Sequence, residues 1–356
     1  MPSRQPPVAE PLAMTGASRA RWEELLDGIA GLLPAGGADG LDVLVDGDGA
    51  QPALLAARLA AALNADGRRC VRLSPSSRLP AAGAGGDAGA EAVRLADGPG
   101  WRSSRHWDVV IVVRTAPTPA ARGGGSRQDG ESGAAIVVDM DDPGWPVIRR
   151  VAVPLAGHGR WYLTETRAFF AARAATWDTK FGDDMAAYAA AIAEAAIRRD
   201  GAVVDVGCGT GRALPALRQA VGPRGTVIAV DITPEMLREA NCRGRDAHAA
   251  LLLADARRLP LADACADAVF AAGLVNHLPD TVAGLRELAR ITRQGGRLVL
   301  FHPTGRAALG ARHGRTLSPD EPLAAGPLQL STRAAGWELT AYDDAADRFF
   351  ALAVRR

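Results

Sequence analysis

Lysine is nearly absent from this 356-residue chain: of 41 basic side chains only Lys180 is lysine, and the rest are arginine. A GC-rich genome favours Arg, Ala, Gly and Pro in this way, but the bias has a chemical consequence. Nothing before residue 180 can perform lysine chemistry. Cysteine is scarce too. Cys70, Cys208, Cys242 and Cys265 form no C-x-x-C pair and have no histidine at zinc-finger spacing. They read as reduced thiols of a cytoplasmic protein. The six histidines are too scattered for a metal cluster, so no metal is expected. No apolar run reaches 18 residues and no charged-then-apolar leader is present, so neither a membrane span nor a secretory signal is expected. A net charge of +1 gives no general pull toward nucleic acid or anionic membrane. What is present, 48% hydrophobic and 23% charged residues, is the composition of a globular chain, and the length predicts two domains.

Residues 1–20 are polar and contain proline, and read as a flexible tail. Trp22, Leu25, Leu26, Ile29, Leu32 and Leu33 then repeat at helical spacing. Apolar runs at 41–45, 70–73, 109–113 and 135–138 read as strands, and 54–63 as an alanine-rich helix. Segments 80–100 and 116–134 are rich in Gly, Ala, Pro and Ser and read as loops. The alternation predicts an α/β domain over 21–155. After a connector at 151–163, helices are expected over 165–176 and 183–198. Strands are expected at 202–206, 226–230, 249–253, 267–272, 296–301, 336–342 and 348–354, the last two as a candidate antiparallel pair. This series predicts a doubly wound, Rossmann-like sheet of seven strands in a domain over 156–356.

The most informative stretch is Val203-Val204-Asp205-Val206-Gly207-Cys208-Gly209-Thr210-Gly211-Arg212. An apolar strand runs into a loop with three alternate glycines and then a helix. Without Cβ atoms, such a loop lets a ligand touch the backbone. The second strand ends in Asp231, 20 residues past Gly211, where an acid accepts hydrogen bonds from ribose hydroxyls in this fold. The third ends in Ala254-Asp255-Ala256, a place for an adenine edge. Alternatives remain open: the glycines also suit a tight turn alone, Asp231 a helix N-cap, and Cys208 a small buried filler.

D-V-G-C-G-T-G, V-D-I-T-P-E-M-L, A-D-A-R-R-L-P, D-A-V-F-A-A-G-L-V-N-H-L-P-D and G-G-R-L-V-L-F stand in order over residues 205–301. Together they resemble the class I S-adenosylmethionine-dependent methyltransferases over about residues 160–356. The resemblance implies S-adenosylmethionine as cofactor. Gly207, Cys208, Gly209 and Gly211 would approach its amino-acid and ribose part, and Asp205 its amino group. Asp231 would take the ribose hydroxyls, Ile232 and Leu274 would pack on adenine and the methionine portion, and Asp255 and Ala256 would meet the adenine edge. A sulfonium methyl is already activated, so a base is needed only for an acceptor protonated at neutral pH. His277 and His302, past the fourth and fifth strands, are the catalytic candidates. Trp177, Lys180, Phe181 and Arg306 are substrate-pocket candidates, with a solvated loop the plainer reading for Arg306 and its neighbours Arg312, His313 and Arg315.

Leu41–Leu59, W-D-V-V-I-V-V-R-T at 107–115 and I-V-V-D-M-D-D-P-G-W-P-V-I-R-R at 136–150 resemble a uridine-kinase-type P-loop domain. A working phosphate loop needs G-x-x-x-x-G-K-[ST]. Here Gln51, Pro52 and Ala53 stand where Gly-Lys-Ser belongs, and no lysine elsewhere in this half replaces the missing one. A degenerate, kinase-inactive domain is expected. The chain thus reads as a methyltransferase acting on an O, N or C nucleophile of a small-molecule acceptor. The alternative is a non-catalytic scaffold or regulatory protein that binds the cofactor or its product. No nucleic-acid or membrane partner is expected, and a homodimer is left open.

Overall fold

The computed structural model describes residues 14–36, 40–73, 92–115, 133–157, 159–181, 184–312 and 317–356, apart from the side chains of Pro99, Arg160, Lys180 and Phe181. They fall into two compact units, one ending at Trp161 and the other beginning at Tyr162.

The first unit is built on β1 (Leu41–Asp46), β2 (Cys70–Arg72), β3 (Val93–Asp97), β4 (Val109–Arg114), β5 (Ile136–Asp139) and β6 (Val147–Val151). The spatial order is β2-β3-β1-β4-β5-β6, parallel except for the antiparallel β5–β6 pair. β1 and β4 read as apolar runs because parallel strands are covered on both faces. Two strands depart from the sequence reading. β3 lies inside the segment read as a loop and inserts between β2 and β1, and β6 follows the turn after Asp139. The helix expected from Arg21 starts at Gly16, because the Thr15 side chain accepts the Ser18 N–H and caps it, so residues 16–20 of the segment read as a tail are helical; residues 1–13 lie outside the described residues. Trp22, Leu25 and Ile29 on that helix join Leu55, Leu59 and Leu63 of helix Gln51–Ala65 and the inner faces of β1 and β4 in one core.

The second unit is built on β7 (Ala202–Val206), β8 (Thr226–Asp231), β9 (Ala250–Leu253), β10 (Ala266–Ala272), β11 (Thr292–His302), β12 (Trp337–Ala345) and β13 (Arg348–Arg355), ordered β12-β13-β11-β10-β7-β8-β9. β7 to β11 pair in parallel, and β13 runs antiparallel to both β11 and β12. The period-two alternation separates two cores. Val203, Phe270, Val299 and Phe301 face Leu214 and Leu217, whereas Val204, Val269, Leu298 and Leu300 face Leu285, Leu288 and Trp337. Helix Thr281–Ile291 starts where the Asp280 carboxylate accepts the Ala283 N–H. Arg290 near its end donates to the Leu259 and Leu261 carbonyls and pairs with Glu287 and Asp263, clamping the preceding loop. The helix expected over 165–176 is instead Arg160–Ala171, a single turn at Ala174–Thr176 and a short helix, Trp177–Phe181, followed by Met185–Glu194. No described helix is long and apolar enough to cross a membrane.

Candidate functional site

From β7 the chain crosses to β8 and β9 on one side and to β10 and β11 on the other. The loop after β7 therefore stands at the point where strand order reverses, the usual ligand crevice of an open α/β sheet. Gly207, Gly209 and Gly211 have φ of +76°, +54° and +79°. The positive φ demands glycine at 207, and a Cβ there would also press on Leu274 Cδ1 at 3.2 Å. The Gly207 and Cys208 N–H groups donate to the Val230 carbonyl (2.8 and 3.0 Å) and tie the turn to β8.

Asp231 closes β8. Its Oδ2 accepts the Gly209 N–H and its Oδ1 the Thr233 N–H, both at 2.8 Å, which fixes the carboxylate against the loop. Burial pushes its carboxyl above the usual range and these N–H groups work against that push. Asp205 is 1% exposed, and among the described residues its Oδ2 has no hydrogen-bond partner. Burial, then the charge of Asp231, push the Asp205 carboxyl up to about 8. Burial and the same two acids raise the Cys208 thiol, which keeps it protonated and argues against a nucleophile.

Past β9, Asp255 accepts the Arg257 N–H at 2.9 Å and Arg257 Nη2 at 2.8 Å. The Arg257 guanidinium lies 4.3 Å from the centre of the Tyr162 ring. Both Asp255 oxygens thus accept from Arg257, two residues on. Ala256 is buried, and the Ile232 carbonyl accepts Arg167 Nε at 2.9 Å.

The sequence candidates on the acceptor side separate into two groups. Leu274, Asn276, His302, Thr304 and Arg306 line one small cavity. His302 Nδ1 lies 2.8 Å from the Thr304 carbonyl oxygen and 3.1 Å from its N–H, so the tautomer decides which bond forms. His277 lies outside that lining, with its ring 5.0 Å from Phe170, which lies 5.6 Å from Trp177. Arg306 does not sit in a solvated loop: it opens helix Arg306–Arg312, 2.9 Å from Glu321 and 3.2 Å from Asp344. Two carboxylates neutralise it, which removes the reason to expect it to hold an anionic acceptor. Arg312 reaches the Thr304 hydroxyl at 3.5 Å; His313 and Arg315 fall outside the described residues. Lys180 and Phe181 belong to helix Trp177–Phe181.

Residues that sequence reasoning passes over surround Asp178. The Thr210 hydroxyl donates to its Oδ1, Arg245 stands 2.8 Å away, and Arg212 and Arg243 lie 3.4 and 3.5 Å away. Burial opposes its ionisation, but Thr210, Arg245 and Arg212 outweigh that and hold the carboxyl below its ordinary value.

In the first unit the loop after β1 also stands at a reversal of strand order. Asp46 Oδ1 accepts the Gly47 N–H at 2.9 Å and Oδ2 takes Arg102 at 2.8 Å. Gln51, Pro52 and Ala53 open the following helix. Among the described residues, no group of three or more His, Cys, Asp or Glu could hold a metal ion.

Residues 204–300 match the methyltransferase domain family. The cofactor this implies is S-adenosylmethionine. Two similar proteins are an uncharacterized 37.1 kDa protein in transposon TN4556 of Streptomyces fradiae and the 27-O-demethylrifamycin SV methyltransferase of Amycolatopsis mediterranei. The first is 35% identical over 34% of this chain and 36% of its own length; the second is 35% identical over 29% and 39%. The chain thus spans well under half the length of either relative. A SAM-dependent methyltransferase structure from Aquifex aeolicus is 24% identical, covering 48% of this chain and 89% of that one, with a TM-score of 0.41.

Proposed function

We propose that the second unit transfers a methyl group from S-adenosylmethionine to an O, N or C nucleophile of a small-molecule acceptor. The observation that carries this is the methyltransferase match over 204–300, laid on a strand-reversal crevice that holds Asp205 and Asp231. The residues suit the cofactor. The unpartnered Asp205 Oδ2 suits a cationic amino group, and the glycines at positive φ leave the backbone open to approach. Each Asp231 oxygen keeps a lone pair for a ribose hydroxyl beyond the amide it accepts. Ile232 and Leu274 would flank the cofactor, and Asp255 and Ala256 would meet adenine. When bound, the cofactor supplies a methyl group on a sulfonium, already activated for displacement. The chain's own work is then to orient the acceptor and exclude water. His302, in the cavity beside Leu274, takes the acceptor's proton where one must leave, and His277 is held as a positioning group by Phe170.

The first unit, in this reading, is a degenerate P-loop-type domain that transfers no phosphate. Pro52 removes one amide from the loop, no lysine is present, and Arg102 already pairs with Asp46 beside it. The test is methyl-labelled cofactor incubated with the protein and a small-metabolite extract. Label should move into low-mass products; binding without any transfer would favour the scaffold reading. Phosphorylation of a nucleoside by purified protein would overturn the reading of the first unit.

A further inference from the structure

We infer that Asp178 is a positioning residue that couples the docking of helix Trp177–Phe181 to the shape of the cofactor-binding glycine loop; this rests on the methyltransferase reading above. Three segments far apart in sequence meet at its carboxylate. Thr210, 1% exposed and flanked by Gly209 and Gly211, donates its hydroxyl to Oδ1. Arg245, in the turn after helix Pro234–Cys242, stands 2.8 Å from Oδ2 and also donates to the Thr210 carbonyl at 2.6 Å. Arg212, just past the loop, lies 3.4 Å from Asp178 and also pairs with Asp184. The Thr210 side chain and carbonyl are therefore both held by this cluster.

The hold passes along the loop. Gly209, next to Thr210, donates its N–H to Asp231, the acid proposed for the ribose. Glycines at positive φ have no intrinsic preference for one loop shape, so an external fastening has to supply it. Asp178 supplies the only acidic charge that touches both Arg245 and Arg212 among the described ion pairs. Removing it would take that counter-charge from the Arg245 guanidinium, whose side chain is 15% exposed, while Arg212 keeps its pair with Asp184. The neighbouring residue on the same helix, Trp177, packs on Phe170, which packs on His277. One short helix thus touches the cofactor loop through Asp178 and the His277 side through Trp177. Cofactor affinity should depend on whether that helix is docked.

Two measurements test this on the full chain. The first is binding of S-adenosylhomocysteine by calorimetry to wild type, Asp178→Asn, Thr210→Val and the double variant. The second is hydrogen exchange of residues 207–212 without ligand. Expected are a rise in Kd of about tenfold for Asp178→Asn, a smaller rise for Thr210→Val, and a double variant no weaker than Asp178→Asn alone. Faster exchange should be confined to 207–212 and 177–181, with Asp178→Glu recovering part of the affinity. Thr210→Val removes one hydroxyl without stranding a charge, so it serves even where Asp178→Asn unfolds. Additive losses, or exchange of 207–212 at the wild-type rate in both single variants, would overturn the coupling. If wild type does not bind S-adenosylhomocysteine, the methyltransferase reading fails, and the exchange comparison still decides the role of Asp178.

Discussion

Asp205 should release its proton when the cofactor binds. In the free protein burial and Asp231 hold its carboxyl at about 8, against an ordinary 3.8, so at pH 7 about nine in ten molecules carry the proton. A cationic amino group placed beside Oδ2 favours the ionised form, so binding and deprotonation are linked. Acidification should then weaken binding about fivefold from pH 8 to 7 and about ninefold from pH 7 to 6, approaching about 1.4 kcal/mol per unit, with a plateau above about pH 9. The assay is calorimetry with S-adenosylhomocysteine at pH 6, 7 and 8, repeated at pH 7 in two buffers of different ionisation heat. Release of about 0.9 proton at pH 7 is expected. Asp205→Asn should bind more weakly and lose most of the pH slope. An affinity that does not change between pH 6 and 8 would refute the reasoning, as would an unaltered slope in Asp205→Asn. The same carboxyl sets a trend in unliganded stability. Its folded value lies above its unfolded one, so the folded state keeps a proton that the unfolded chain loses above about pH 4. Its contribution is fully present below that pH and is lost as pH rises toward about 8.

Asp231→Ala should leave the Gly209 and Thr233 amides without their acceptor and weaken binding of the same ligand at least tenfold, with calorimetry as the check. Gly207→Ala forces a side chain into φ +76° and toward Leu274 Cδ1, and should cost about 1–2 kcal/mol in urea unfolding as well as affinity. Iodoacetamide followed by mass mapping should modify exposed Cys242 well before buried Cys208, whose thiol burial keeps protonated. Equal rates would mean that the glycine loop opens in solution.

The crevice was readable because its signals are local. An apolar strand, three glycines at alternate positions and an acid at the end of the next strand all express the geometry of one βα turn. The fate of Arg306 was not readable. Whether an acid or an arginine is available depends on partners, and the partners of Arg306 are Glu321 and Asp344, brought together only by folding. The Asp178 cluster spans residues 178 to 245 with no spacing rule to reveal it. β3 was hidden for a different reason. Val93-Arg94-Leu95-Ala96-Asp97 carries charged residues at two of five positions and adjoins a Gly/Ala-rich stretch, so composition masked a strand that Arg94 joins through its pair with Asp42.

The clamp made by Arg290 bears on how this sequence could evolve. One guanidinium there serves two carbonyls and two acids at once, a task that needs several donors in a planar fork, whereas a lysine offers three from a single point. Arg224, 82% exposed and with one ion pair among the described residues, carries no such demand. Moved to a host that favours AAA and AAG codons, the chain could drift to lysine at positions like Arg224 without penalty. At positions like Arg290, a change to lysine would lose donors to two carbonyls and two acids at once.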